Sequence, residues 1–277
     1  MTLVFIEILV LSIAAGVLGS LLGLGGGIII VPALTLLIGL PFRYAVGASI
    51  VSVIATSSGA AAAYLRGGIS NLRIGIALEV ATTVGALCGA FLAGHVPQRA
   101  LYVVFGLLLG YSAVALLGRL HIEVPVHVPD DPLADRLGFS GAYYDQVLRA
   151  RVPYRATAVL PGGAMMYVAG LLSGLLGIGS GSFKVLAMDI FMRLPMKVST
   201  ATSNFMIGVT AAASAGVYFA RGDIHPLVAA PVALGVLAGA WGGAHMMQRL
   251  RNTTIRKMFI PVLAITAVEM ILRGLSG

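Results

Sequence analysis

Eight long apolar runs account for most of this 277-residue chain, at 2–40, 44–64, 72–94, 99–118, 157–192, 198–220, 227–247 and 255–273. Runs of this length and apolarity read as membrane helices. Only 10% of the residues are charged and 58% are hydrophobic, with a mean hydropathy of +0.99. Soluble domains carry about 25% charged residues, so this chain could not cover its own surface in water. A soluble enzyme or nucleic-acid binder is excluded, and the expected surroundings are a lipid bilayer. The net charge of +8 then reads as basic residues gathered on the cytoplasmic side, with no nucleic-acid partner implied. The single Cys88 rules out an internal disulfide and a cysteine-rich metal site, and reads as a small packing residue. No metal or cofactor is expected. Met1–Glu7 lacks the basic start of a secretory signal and is read as retained.

One polar stretch, 119–156, divides the runs four and four. It holds five acidic residues (Glu123, Asp130, Asp131, Asp135, Asp145) and five arginines (119, 136, 149, 151, 155), and so is neutral. Prolines 125, 129, 132 and 153 mark it as a connector with one short helix. The chain therefore divides into 1–118, a linker 119–156, and 157–277. The flanking parts repeat each other. Gly16, Gly23, Gly25 and Gly27 recur 154 residues on as Gly170, Gly177, Gly179 and Gly181. Leu40-Pro41, Ser49, Thr56, Gly85 and Gly89 recur at the same offset, and Arg66-Gly67 returns as Arg221-Gly222 after a one-residue slip.

The first run of each unit is anomalous. A 39-residue helix over 2–40 would extend about 58 Å, nearly twice a hydrocarbon core. Glycines at 23–27 break it, as Gly177-Ile-Gly-Ser-Gly-Ser182 breaks its counterpart. The pieces that follow, 28–40 and 183–194, are too short to cross at about 1.5 Å per residue. Each run is therefore one broken crossing or a hairpin that returns to its own side. Broken crossings leave the basic residues evenly divided, whereas hairpins place 13 on one face and 4 on the other. The positive-inside rule selects hairpins, a cytoplasmic linker and both termini outside. Each unit then holds a re-entrant hairpin and three crossings, an odd number. The expected fold is an all-α polytopic membrane protein of two inverted-topology repeats, an arrangement typical of secondary transporters.

Inverted hairpins can bring their tips together near the midplane, where the N–H groups and partial positive charge at a helix start favour an anion. The candidate substrate contacts are Gly25, Gly26 and Gly27 of the first tip and Gly179, Ser180, Gly181 and Ser182 of the second. Tight glycine packing between helices is the competing explanation. Lys184 would lie deep in the membrane, facing an anion or pairing with Asp189. The helix after each hairpin adds Ser49 and Thr56, and then Ser203, Asn204 and Thr210. Their hydroxyls and amide would line the site or bond within the protein. Glu79 is the candidate proton-coupling carboxylate, with snorkelling to the interface as the alternative. Glu269 and Arg273 read as a surface pair at i,i+4. His95 and His245 lie near helix ends and read as interfacial. No HExxH motif occurs, and both GxSG matches (Ser140, Ser276) lie outside the membrane runs, so intramembrane hydrolysis is not indicated.

Gly23-Leu-Gly-Gly-Gly-Ile-Ile-Ile-Val-Pro-Ala33, Gly-Leu-Pro41 and Ala-Val-Gly-Ala-Ser49 together resemble the TauE/SafE sulfite-exporter family. The second copy, Gly177–Val185 and Ala201–Gly208, resembles that family's second motif. The likeness spans about 5–118 and 157–274 and implies export of sulfite, sulfoacetate or a related organic sulfur anion across a bacterial-type inner membrane. It departs where Ser180 stands opposite Gly26 and Leu186 opposite Pro32, which adds a hydroxyl to the second tip. Transport of another small anion such as a carboxylate, or a non-transporting membrane scaffold, are the alternative functions. Neither the cargo nor the oligomeric state is legible in the sequence.

Overall fold

Glycine sets the boundaries of the first helices. Gly23, Gly25 and Gly26 all have positive φ, between 72° and 79°, a region that L side chains rarely occupy. The computed structural model, which describes residues 2–92, 97–118, 120, 128–176 and 180–276, therefore ends α1 (Thr2–Leu22) at this turn and starts α2 (Gly27–Pro32) after it. A π-helical turn, Ala33–Leu37, finishes the segment, and α3 (Phe42–Arg66), α4 (Leu72–Leu92) and α5 (Gln98–Leu117) follow. After the linker come α7 (Val159–Leu176), α8 (Gly181–Leu186), a second π-helical turn Ala187–Phe191, α9 (Met196–Ala220), α10 (Pro226–Gln248) and α11 (Asn252–Ser276). Both α-to-π switches sit 154 residues apart to the residue.

Among the described residues five helices, α1, α3, α4, α10 and α11, are long and apolar enough to cross a membrane. The chain is an all-α polytopic membrane protein. Its lipid face is apolar: on α4, Ile76, Val80, Val84 and Phe91 are all at least half exposed. The inward face of α9 is polar, with Ser199, Thr200, Thr202, Ser203, Asn204, Thr210 and Ser214 buried. That inverts the pattern of a water-soluble helix.

Glycines let the helices approach to backbone contact. A Cβ on Gly16 would collide with Val236, and one on Gly170 with Thr82. Gly239 lies against the Ile13 carbonyl and Gly85 against that of Tyr167; Gly243 lies against Val17 and Gly89 against Leu171. In every case the second contact is the first with the halves exchanged at an offset of 154. Thus α1 packs along α10 as α7 packs along α4. Contacts also set direction. Leu9, Ile13 and Val17 meet Gly235, Gly239 and Gly243 in ascending order, so α1 and α10 run the same way. Gly59 meets Leu237 and Gly67 meets Gln248, so α3 does too.

The linker departs from a plain connector. Besides the expected short helix, α6 (Pro132–Leu137), it forms an antiparallel hairpin of β1 (Ser140–Asp145) and β2 (Ala150–Arg155), with Tyr143 opposite Val152. A lone two-stranded hairpin is marginal in water, and this one is held by docking. Tyr143 and Val152 pack on Val198 at the start of α9. Asp145 pairs with buried Lys197 at 3.0 Å, and Tyr154 accepts a hydrogen bond from Asn71 of the first half. Burial works against ionisation of Asp145, but the Lys197 ammonium and the Leu148 and Val147 N–H groups outweigh it and hold the carboxyl below its usual range.

Two outcomes follow. Gly239→Ala should destabilise the protein by about 1–3 kcal/mol through overpacking. Gly242→Ala on the same helix, with open space around it, should be neutral or slightly stabilising in a detergent thermal melt. Because the folded Asp145 has a lowered pKa, its contribution to hairpin docking is complete above about pH 4 and fades as pH falls through the lowered value. Amide exchange in β1 and β2, corrected for intrinsic rates, should quicken between pH 7 and pH 3. In Asp145→Asn it should be fast at both.

Candidate functional site

The two breaks meet. A Cβ on Gly181 would collide with the Gly23 carbonyl and Leu24, so the first loop and the start of α8 touch through backbone. Ser203 closes this junction, its hydroxyl donating to the carbonyls of Gly23 (3.0 Å) and Gly181 (3.2 Å). Beside it, the Asn204 amide donates to the carbonyls of Ser20 (2.7 Å) and Thr200 (3.1 Å). The Ser20 and Gly23 carbonyls lie at the end of α1, where lipid could not satisfy them. The Asn204 Oδ1 is buried with no hydrogen-bond donor among the described residues.

Lys184, one turn into α8, is fully buried. Its ammonium does not reach Asp189. It donates to Glu79 Oε2 of α4 at 2.9 Å and to the Thr210 hydroxyl, which itself donates to Glu79 Oε1. Thr82 and Thr83 also donate to the Glu79 carboxylate. Glu79 is therefore a buried acceptor and does not snorkel. Asp189, in the π-helical turn, pairs instead with Arg256 of α11 at 2.7 Å, both fully buried. The sequence reading placed Arg256 among residues on the cytoplasmic face and missed this pair. The signal available was an aspartate inside an apolar run, which requires a cation nearby. Lys197, also counted on that face, is buried against the linker's Asp145, so Arg256 and Lys197 are both buried in ion pairs.

The other candidates divide by the role the structure gives them. Gly25, Gly26 and Gly27 lie buried at the first tip, with Gly26 facing Thr56. The Thr56 hydroxyl bonds back to the Ser52 carbonyl at 2.8 Å. Ser49, Ser180 and Ser182 are buried with hydroxyls that make no hydrogen bond among the described residues. Gly181 is at the tip contact, whereas Gly179 lies outside the described residues. Glu269 and Arg273 form the expected pair at 2.9 Å, and Arg273 also reaches Thr35. His245 sits near the end of α10 and is exposed; His95 is outside the described residues.

The tips are closed around Lys184. From the side, an almost wholly apolar cavity of about 380 Å³ is lined by Ile76, Glu79, Val80, Thr83, Val84, Phe205 and Val209. Among the described residues no group of three or more His, Cys, Asp or Glu side chains is placed to hold a metal ion. The geometry sets one ammonium, one carboxylate and, among the described residues, a set of hydroxyls without hydrogen bonds beside two broken helices.

Removing one partner of the buried pair should cost far more than removing both. Lys184→Met leaves Glu79 uncompensated and should destabilise the protein by about 3–5 kcal/mol. Lys184→Met combined with Glu79→Leu should recover most of that loss in a thermal melt.

Comparison with known proteins agrees with this architecture. The probable membrane transporter protein YunE of Bacillus subtilis is 27% identical over 286 residues, covering 98% of each chain. The probable membrane transporter protein YdhB of the same organism is 26% identical, covering 95% of this chain and 99% of its own. No solved structure matches. Residues 8–270 match the sulfite exporter TauE/SafE family, and with that match across nearly its whole length the chain belongs to this family of membrane transporters.

Proposed function

We propose that this protein exports a small sulfur-containing anion, such as sulfite, sulfoacetate or a related sulfonate, by alternating access. The observation that carries the reading is Lys184, a fully buried cation beside the meeting point of two broken helices, balanced by a carboxylate from the other half of the chain. An oxyanion is a direct substitute for that carboxylate. It would take over the Lys184 ammonium and the Thr210 hydroxyl, with Ser49, Ser180 and Ser182 as further donors and Gly25–Gly27 and Gly179–Gly181 allowing close backbone approach. Asn204 would fix the tips that surround it. Planar or tetrahedral oxygens suit such a set of short hydroxyl and ammonium donors.

The two halves are read as inverted repeats. Support comes from the exchanged glycine contacts and from α1 and α3 running in the same direction, which requires the α2 segment between them to turn back as a hairpin. In this topology the linker is cytoplasmic, both termini lie outside, and rocking of one half against the other opens the tips to each side in turn. The closed tips correspond to an occluded stage. Glu79, released from Lys184 by the anion, is the group positioned to take a proton. An inside-negative potential favours anion exit by about 2.3 kcal/mol per charge per 100 mV, so coupling to protons is not energetically required.

Flux into proteoliposomes separates the possibilities. Sulfite and sulfoacetate should show saturable transport that taurine and acetate do not match; equal rates for acetate would overturn the sulfur-anion assignment. The Lys184→Met and Glu79→Leu double variant should fold and lose anion binding. Binding that survives in this variant would remove Lys184 from the site.

A further inference from the structure

A second polar recess lies away from the tips, where α3 and α10 end side by side. It has a volume of about 490 Å³ and is lined by Ala62, Ala63, Arg66, Gly67, Trp241, His245 and Gln248. Arg66 is the last residue of α3 and Gln248 the last of α10, so the recess opens where the membrane-spanning segments stop. Trp241 lies seven residues earlier, about 10 Å deeper, and is 62% exposed. That is the depth at which indoles anchor to the headgroup region.

The internal repeat provides the contrast. The second-half equivalent of Arg66 is Arg221, whose guanidinium donates to the Ala90 carbonyl at 3.0 Å and lies over the Tyr218 ring. Arg66 is exposed and makes no ion pair or hydrogen bond among the described residues. At the offset of 154, Trp241 and His245 replace Leu87 and Phe91. One end of the bundle thus holds its arginine on a backbone carbonyl. The other leaves the arginine without a partner among the described residues and sets polar aromatic groups beside it. The His245 ring is fixed: only Nδ1–H can donate to the Trp241 carbonyl at 2.8 Å, and the ring lies 4.6 Å from the indole.

We infer that this recess binds an anionic phospholipid, with its headgroup phosphate on the Arg66 guanidinium and an acyl chain running down past Ala62 and Trp241. One guanidinium without a partner among the described residues matches one phosphodiester, and basic recesses between membrane helices recognise such headgroups. The lining has no carboxylate to pair with a quaternary ammonium headgroup, and His245 already lies against the indole. The inference is independent of the transported anion.

Native mass spectrometry of the delipidated full chain, titrated with phosphatidylglycerol, phosphatidylcholine of the same acyl chains, or inorganic phosphate, tests it. Phosphatidylglycerol should bind about tenfold more tightly than phosphatidylcholine, as one charge-assisted pair would give. Arg66→Gln should abolish the preference. Equal binding of the two lipids, or an unchanged preference in Arg66→Gln, would overturn the site. Displacement of phosphatidylglycerol by millimolar inorganic phosphate would assign the recess to a soluble phosphate and overturn the lipid.

Discussion

A helix broken inside a membrane exposes backbone N–H and C=O groups where no water can satisfy them. This protein breaks two, and the rest of its structure is arranged around covering them. The Gly23–Gly27 loop leans on the start of α8 through backbone contact that only glycine permits. Ser203 accepts no substitute in this role without cost, because one hydroxyl serves a carbonyl from each break. Asn204 caps the end of α1 from the adjoining position. The polar face of α9 is therefore first a structural necessity. Any anion site there has to be built from groups left over once the carbonyls are covered, such as Lys184, Thr210 and the hydroxyls of Ser49, Ser180 and Ser182, which make no hydrogen bond among the described residues.

Charge burial imposes the second level of order. The buried ion pairs Lys184–Glu79, Arg256–Asp189 and Lys197–Asp145 each join separate segments of the chain. The first ties α8 to α4 of the other half, the second ties the π-helical turn to α11, and the third ties the linker hairpin to α9. Lone charges in these positions would be prohibitive, so the pairs specify which helices lie together even where their net energy is small. Asn252 adds to the third, its Oδ1 accepting from the Lys197 N–H while its amide donates to Tyr143.

Much of this was legible in the sequence because its causes are local or periodic. The glycine clusters marked both helix breaks, and the 154-residue offset relates the two π-helical turns, which the sequence itself did not announce. What escaped were partnerships between distant residues. Nothing local to Glu79 points to Lys184, 105 residues away, and nothing local to Asp189 points to Arg256. The linker hairpin was also hidden. Its alternation is short, Pro153 lies within one strand, and its stability comes from Val198 and Lys197, outside the segment. Asn204 was singled out for its hydrogen-bonding capacity, which is how it functions here, though its amide serves the protein's own carbonyls.

The near-symmetry of the halves makes their differences informative. The glycine contacts and the Tyr64–Ser20 bond, repeated as Tyr218–Gly174, are preserved because both halves must solve the same packing problem. The charges are not preserved. Opposite Lys184 stands Ile30, opposite Glu79 stands Ala233, and opposite Asn204 stands Ile50. A two-fold arrangement of cations around one small anion would place two like charges together in hydrocarbon, with no second carboxylate to neutralise them. A single lysine and amide from the second half, with one carboxylate from the first, avoids that repulsion. It also makes the Lys184–Glu79 pair a bond between the halves, so that, on the proposed reading, an anion that replaced it would at the same time release one half from the other.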